Sequence, residues 1–220
     1  MEPVTLSTAR LSLRPFAPAD AEEVYAGCQD PAVQRWTVVP SPYERAHARS
    51  WVEEISPAGW REDREYTFAV RLGPEGGGPL VASVGVHVRG PQAYEIGYWT
   101  AAEHRGRGYM TEAVGRVASW MFTDVGAGRL EWRAAVGNAP SRRVAEKAGF
   151  RVEGVLRAAL DLRGTLHDCW VAGLLPTDLG LPSKLPYLPG PQPSATTATT
   201  GACAGAPASP QAGGVVSGRA

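Results

Sequence analysis

The chain has 220 residues, 22 Lys and Arg against 22 Asp and Glu, and a formal net charge of zero. That balance offers no electrostatic attraction to nucleic acid or to an anionic membrane. The apolar runs are far too short to span a bilayer, and the opening MEPVTLSTARLSLRPF lacks the basic and apolar regions of a signal peptide. The cysteines Cys28, Cys169 and Cys203 are odd in number and widely spaced, which argues against a disulfide framework or a zinc site and predicts a cytoplasmic protein.

In chain order, residues 10–16 alternate as a strand, and Asp20 to Gly27 reads as a helix. Asp30 before Pro31 reads as a turn former. Ser41-Pro42-Tyr43-Glu44 has the cap, proline and acidic residue of a helix start, and the helix after it should bury Trp51, Val52 and Ile55 on one face. Strands are predicted at 65–71 and 80–88, joined by the turn GPEGGGP, with a third at 94–100. A helix over 108–122 carries Ala113, Val114, Val117, Ala118 and Met121 at helical spacing. A strand at 130–136 and a helix from Pro140 to Ala148, stopped by Gly149, come next; strands near 152–160 and 167–174 finish the pattern. This order predicts a single α/β (α+β) domain over residues 1–180. Its mixed, mostly antiparallel sheet would have six to seven strands and about four flanking helices. Residues 181–220 are rich in Pro, Ala, Gly, Ser and Thr, with Arg219 the one charge after Lys184, and are expected to be disordered.

The stretch RGRGYMTEAV at 105–114 sits where a strand gives way to a helix. A helix N-terminus presents unpaired N–H groups and partial positive charge, and glycine lets backbone approach a ligand closely. The stretch is therefore a candidate phosphate cradle. It lacks the Lys-Ser/Thr of a Walker loop, and Thr111 stands where a dinucleotide fingerprint has its third glycine. A plain nucleotide-binding module is a remote reading.

Together with EIGYW at 95–99, NAPSRRVAEKAGF at 138–150, GFRVEGVLR at 149–157 and LHDCWVAGLL at 166–175, the cradle resembles the GNAT superfamily of acyl-CoA-dependent N-acyltransferases, in the bacterial RimJ/RimL-like branch. The resemblance runs from Leu11 to Leu174. It implies a fold in which the strands at 94–100 and 130–136 splay apart around an acetyl-CoA thioester. It further implies that backbone from Arg105 through Gly106, Arg107, Gly108 and Tyr109 to Met110 holds the pyrophosphate, that Thr111 adds a hydroxyl, and that Trp99, Thr100 and Asn138 lie along the cofactor arm. Met110 departs from the family's small residue and is expected to crowd the helix start.

Acetyl transfer to an amine needs a proton acceptor, donors for the developing oxyanion and a proton for the departing thiolate. Glu95 is the candidate base. Ser141, by resemblance near the thioester sulfur, is the candidate acid, with helix capping as its alternative role. Trp36, Trp51 and Trp60 fall where the family builds its acceptor site, and most should be core. His47, His87, His104 and His167 have no metal-ligand spacing, and His104 is expected at the surface. The reading is thus an acetyl-CoA-dependent N-acetyltransferase without a metal, acting on a protein N-terminus or a small amine, as monomer or homodimer. Two alternatives stay open: a drug- or metabolite-modifying enzyme using another acyl-CoA, and an acyl-CoA sensor or partner-binding protein.

Overall fold

A computed structural model describes residues 1–190. Its sheet has eight strands: β1 (Leu6–Ser7), β2 (Leu11–Arg14), β3 (Glu65–Leu72), β4 (Leu80–Gly90), β5 (Ala93–Thr100), β6 (Leu130–Ala135), β7 (Arg151–Leu162) and β8 (Thr165–Leu174). They lie in the order β1-β2-β3-β4-β5-β6-β8-β7. Every neighbouring pair is antiparallel except β5 and β6, which run parallel. The count exceeds the predicted six to seven by β1, whose two residues are too few to show an alternation.

Six α-helices flank the sheet: α1 (Ala21–Cys28), α2 (Pro31–Trp36), α3 (Arg45–Ser50), α4 (Ser56–Arg61), α5 (Tyr109–Trp120) and α6 (Ala139–Lys147). The predicted four omitted α2, where Asp30 is a helix cap and not merely a turn residue. Its carboxylate accepts from the N–H groups of Ala32 and Val33, and Pro31 fills the first helical position. The predicted helix after Ser41 begins later, at cap Glu44, whose N–H donates to His47 Nδ1 at 3.0 Å. A π-turn at Trp51–Ile55 joins α3 to α4. Its wider turn breaks the expected shared face: Val52 is buried, whereas Ile55 is 47% exposed.

The sheet separates two cores. On one face α5 lays Met110, Ala113, Val114, Val117 and Met121 on the apolar side chains of β3 to β6, including Phe68, Val84, Ile96 and Trp132. On the other, Val24, Val33, Ala48 and Val52 pack with Phe16, Ala69 and Leu80. That second layer is pinned by Asp20, which is 1% exposed. Arg14 donates to both its oxygens at 2.7 Å, Arg71 to one at 2.9 Å, and the Ala17 N–H at 2.8 Å. The compact unit runs from Met1 to Pro186. Leu181 packs on the first core and Lys184 Nζ donates to Thr123 O at 2.9 Å. The segment expected to be disordered lies mostly outside the described residues. Among those residues no helix is long and apolar enough to cross a membrane.

Candidate active site

The parallel pairing of β5 and β6 has three rungs only, Tyr94–Leu130, Glu95–Glu131 and Ile96–Trp132. Beyond Ile96, β5 stays bonded to β4 as far as Thr100, and β6 stays bonded to β8 as far as Ala135. The two strands therefore diverge with a free backbone edge on each side of the gap. Trp99 and Thr100 stand on the β5 side beyond the last rung. Trp99 packs on α1 at Gly27, where a Cβ would come within 2.6 Å of the ring. Any larger residue at Gly27 would displace the indole.

At the end of β5 the chain turns through Gly106 (φ +76°) and Gly108 (φ +79°) into α5. Both are left-handed, a conformation that glycine adopts without the Cβ penalty. Gly108 is the N-cap and no side chain caps the helix, so the first-turn N–H groups at Tyr109, Met110 and Thr111 lack intrahelical acceptors. A Cβ on Gly106 would meet nothing within 4 Å. The turn thus offers an open surface of N–H donors at the positive end of a helix dipole, which suits a phosphate.

The side chains around this turn are arranged differently from expectation. Arg105 does not lend its charge freely to the cradle: its guanidinium donates to Thr100 O at 3.1 Å and pairs with Asp30 at 3.2 Å, tying the turn to the α2 cap. Its N–H is taken by Ala102 O. Burial works to raise the Asp30 carboxyl, but Arg105 and the Val33 and Ala32 N–H groups outweigh it and hold the group below its ordinary range. Met110 does not crowd the cradle, because its side chain is buried in the first core. The Arg107 side chain is exposed. Arg10, which sequence reasoning missed, donates to Arg107 O at 3.2 Å, lies 4.8 Å over the Tyr109 ring and pairs with Glu112. Thr8 also donates to Glu112. Only the fold brings the β1–β2 turn beside α5, so no local pattern announced Arg10. His104 is not a surface residue: its side chain is 13% exposed and its Nδ1 is buried with no hydrogen-bond partner.

Across the gap, Asn138 caps α6 by accepting from the Ser141 N–H at 3.3 Å. Ser141 is therefore not the cap. Its Oγ accepts from the Trp132 Nε1–H at 3.2 Å, which leaves the hydroxyl proton free to point elsewhere. The Tyr98 hydroxyl donates to Ser141 O at 2.9 Å, and burial pushes the Tyr98 phenol well above its usual range, so it stays a neutral donor. Ser141 and Tyr98 thus belong to the α5–α6 face. Glu95 belongs to the opposite face and to the paired part of β5, where Arg89 donates to it at 3.1 Å beside a cavity of about 130 Å³.

That opposite face is roofed by α2. Its cap reaches the cradle through Asp30 and Arg105, and its last residue, Trp36, comes within 3.6 Å of a Cβ placed on Gly137 in the β6–α6 turn. Arg163, from the β7–β8 turn, donates to the carbonyls of Gln34, Thr37 and Val39. Of the three tryptophans expected near an acceptor site, Trp36 lies on this roof, Trp51 packs edge-on to Phe16, and Trp60 is fully buried. A cleft of about 440 Å³ opens between Gly27 and Asp30, Leu80 of β4 and the Ala101–Glu103 loop.

Residues 10–151 match the acetyltransferase (GNAT) domain family. YoaA of Bacillus subtilis, an uncharacterized N-acetyltransferase, is 30% identical over 165 residues, 74% of this chain and 92% of its own. The structure of RimJ from Mycobacterium smegmatis, in complex with CoA-disulfide, superposes with a TM-score of 0.67 at 25% identity, covering 81% of this chain and 88% of its own. A further structure, RimL, the ribosomal L7/L12 alpha-N-protein acetyltransferase in complex with coenzyme A, has a TM-score of 0.69 at 19% identity and covers 79% of this chain and 98% of its own; it supports the fold alone.

Proposed function

The chain belongs to the GNAT acetyltransferase family and is an acyltransferase, and from that premise we propose that it transfers the acetyl group of acetyl-CoA to a primary amine by direct attack on the thioester. The observation that carries the reading is the gap that opens beyond the Ile96–Trp132 rung, with the uncapped glycine turn of α5 at its mouth and Ser141 beside it. The residues present fit the co-substrate. The N–H groups from Gly106 to Thr111 would hold the pyrophosphate, with the Thr111 hydroxyl as a further donor. Trp99, Thr100 and Asn138 would flank the arm in the gap, the free edge of β5 supplying N–H and C=O groups to its amides.

Ser141 would deliver its hydroxyl proton toward the departing sulfur, since Trp132 already occupies an oxygen lone pair and orients the group. The amine would arrive from the opposite face, under α2 and the Arg163 contacts. The acceptor we favour is a protein N-terminal α-amine, with a small-molecule amine as the other candidate. We place the catalytic domain within residues 1–180, with Leu181 and Lys184 of the following segment still attached to it.

The test is thiol release from acetyl-CoA against a panel of N-terminal peptides, polyamines and aminoglycosides. Turnover with peptides supports the full reading; turnover with small amines alone moves the acceptor to that class. Acetyl-CoA binding without any turnover would replace the enzyme with a sensor. Gly108→Glu, which puts a carboxylate on the cradle, should abolish acetyl-CoA binding, and an unchanged affinity would refute the cradle.

A further inference from the structure

On the roofed face of the sheet, four ionisable side chains stand in one cross-strand row: Glu65 of β3 opposite His87 of β4, His87 opposite Glu95 of β5, and Glu95 opposite Glu131 of β6. Two of the four are committed to arginines. Arg89 donates to Glu95, and Arg133 and Arg129 both pair with Glu131. The remaining two are committed to each other, with Glu65 Oε1 3.4 Å from His87 Nδ1. Two glycines make room for them. A Cβ on Gly85 would lie 3.1 Å from the Glu65 carboxylate, and a Cβ on Gly97 would lie 3.9 Å from His87 Nε2. Gly97 is the first residue of β5 past the last rung with β6. The imidazole therefore runs from a largely buried carboxylate at one nitrogen to the closed end of the gap at the other.

We propose that His87, oriented by Glu65, is the base that takes the proton from the attacking amine. This deepens the reading of the preceding subsection and rests on it. In the tautomer that carries its proton on Nδ1, 3.4 Å from Glu65, His87 presents the Nε2 lone pair to the gap, the form a base needs. Nε2 removes one proton from the ammonium form of the acceptor. The freed nitrogen lone pair forms the C–N bond to the thioester carbonyl carbon, the C–S bond breaks, and its electron pair leaves on sulfur. Ser141 delivers its hydroxyl proton to the sulfur, and the second nitrogen proton, lost as the amide forms, replaces it on Ser141. His87 then releases its proton to solvent, giving amide, free thiol and one proton in all. Base and acid lie on opposite faces of the sheet, because adjacent residues of β5, Gly97 and Tyr98, point to opposite faces and Tyr98 bonds Ser141. Glu65 is a positioning residue. Burial pushes its carboxyl above the ordinary range, while His87, Arg64 and Arg89 pull against that. Glu95, Glu131 and Arg133 complete the charged surroundings.

The test uses the full chain, acetyl-CoA and whichever amine the panel identifies. His87→Gln should lower kcat about a hundredfold, leave acetyl-CoA affinity unchanged, and erase the acidic limb of the pH profile of kcat/KM. Glu65→Gln should lower kcat while leaving acetyl-CoA affinity unchanged, and Glu65→Asp should recover part of the loss. In His87→Ala, added imidazole should restore turnover. A His87→Gln enzyme with wild-type turnover and an intact acidic limb overturns the proposal while the acetyltransferase reading stands. A wild type that turns over no amine refutes both.

Discussion

Replacing Gly106 by alanine isolates what the cradle does. At φ +76°, a Cβ costs about 1–2 kcal/mol in backbone strain. No neighbouring atom lies within 4 Å of that carbon, so no packing penalty is added. For a unit of this size each kcal/mol lowers Tm by about 2–4 °C, giving a drop of about 2–8 °C. Binding should suffer separately, because the new methyl stands on the open surface where a pyrophosphate must approach the N–H groups. Losing one charge-assisted backbone bond is worth about 1.5–3 kcal/mol, or about ten- to a hundredfold in Kd. Gly180→Ala is the control: it has φ +70° and equally open surroundings, but lies in the turn after the Pro176–Leu179 helix. Calorimetric titration with acetyl-CoA and thermal melts of both variants decide the matter. Similar Tm losses with weakened binding only in Gly106→Ala are expected. Equal affinities in the two variants would refute the assignment of the turn.

Ser141→Ala should lower kcat more than it weakens acetyl-CoA binding. Trp132→Phe, which removes the indole donor to Ser141 Oγ, should do the same to a smaller degree; steady-state kinetics with unaltered kcat in both would take Ser141 out of the reaction. Asp20 supplies a pH dependence. Burial works to raise its carboxyl, yet Arg14, the Ala17 N–H and Arg71 hold it below the unfolded value, so its contribution is present above that value and is lost as pH falls through the folded one. Asp20→Asn should cost about 3 kcal/mol near neutrality and flatten the acid limb of stability measured by urea unfolding between pH 6 and 3. Cys28 is 1% exposed and burial pushes its thiol up to about 11, so mass mapping after alkylation at pH 8 should find it unmodified until denaturant is added.

Where the sequence was informative, periodicity was the reason. The apolar spacing of α5 reports burial on one face, and the apolar runs of β3 and β4 report burial on both, as a sheet between two cores requires. The glycine turn was visible because left-handed backbone leaves a mark in residue choice. By contrast, α2 has a single buried side chain, Val33, too little for a helical stripe, and the Asp30-Pro31 pair that caps it equally suits a turn. The tie from Arg105 to Asp30 spans 75 residues and has no local signature. The same holds for the row from Glu65 to Glu131, which exists only once the register of three strand pairs is set. His87 taken alone was one more unplaced histidine.

The divergence of β5 from β6 also bears on self-association. An unpaired strand edge invites another chain to add itself, and proteins ordinarily protect such edges at the sheet's margin. Here two free edges face each other in the middle of the sheet, each backed by a bonded neighbour, β4 on one side and β8 on the other. They close on themselves at the Ile96–Trp132 rung. A second copy of the protein cannot extend this sheet through the gap, because a strand with side chains on both faces would meet α2 above and α6 below. A slender linear ligand bearing amides can. The same architecture that exposes hydrogen-bonding backbone to a small molecule withholds it from other polypeptides.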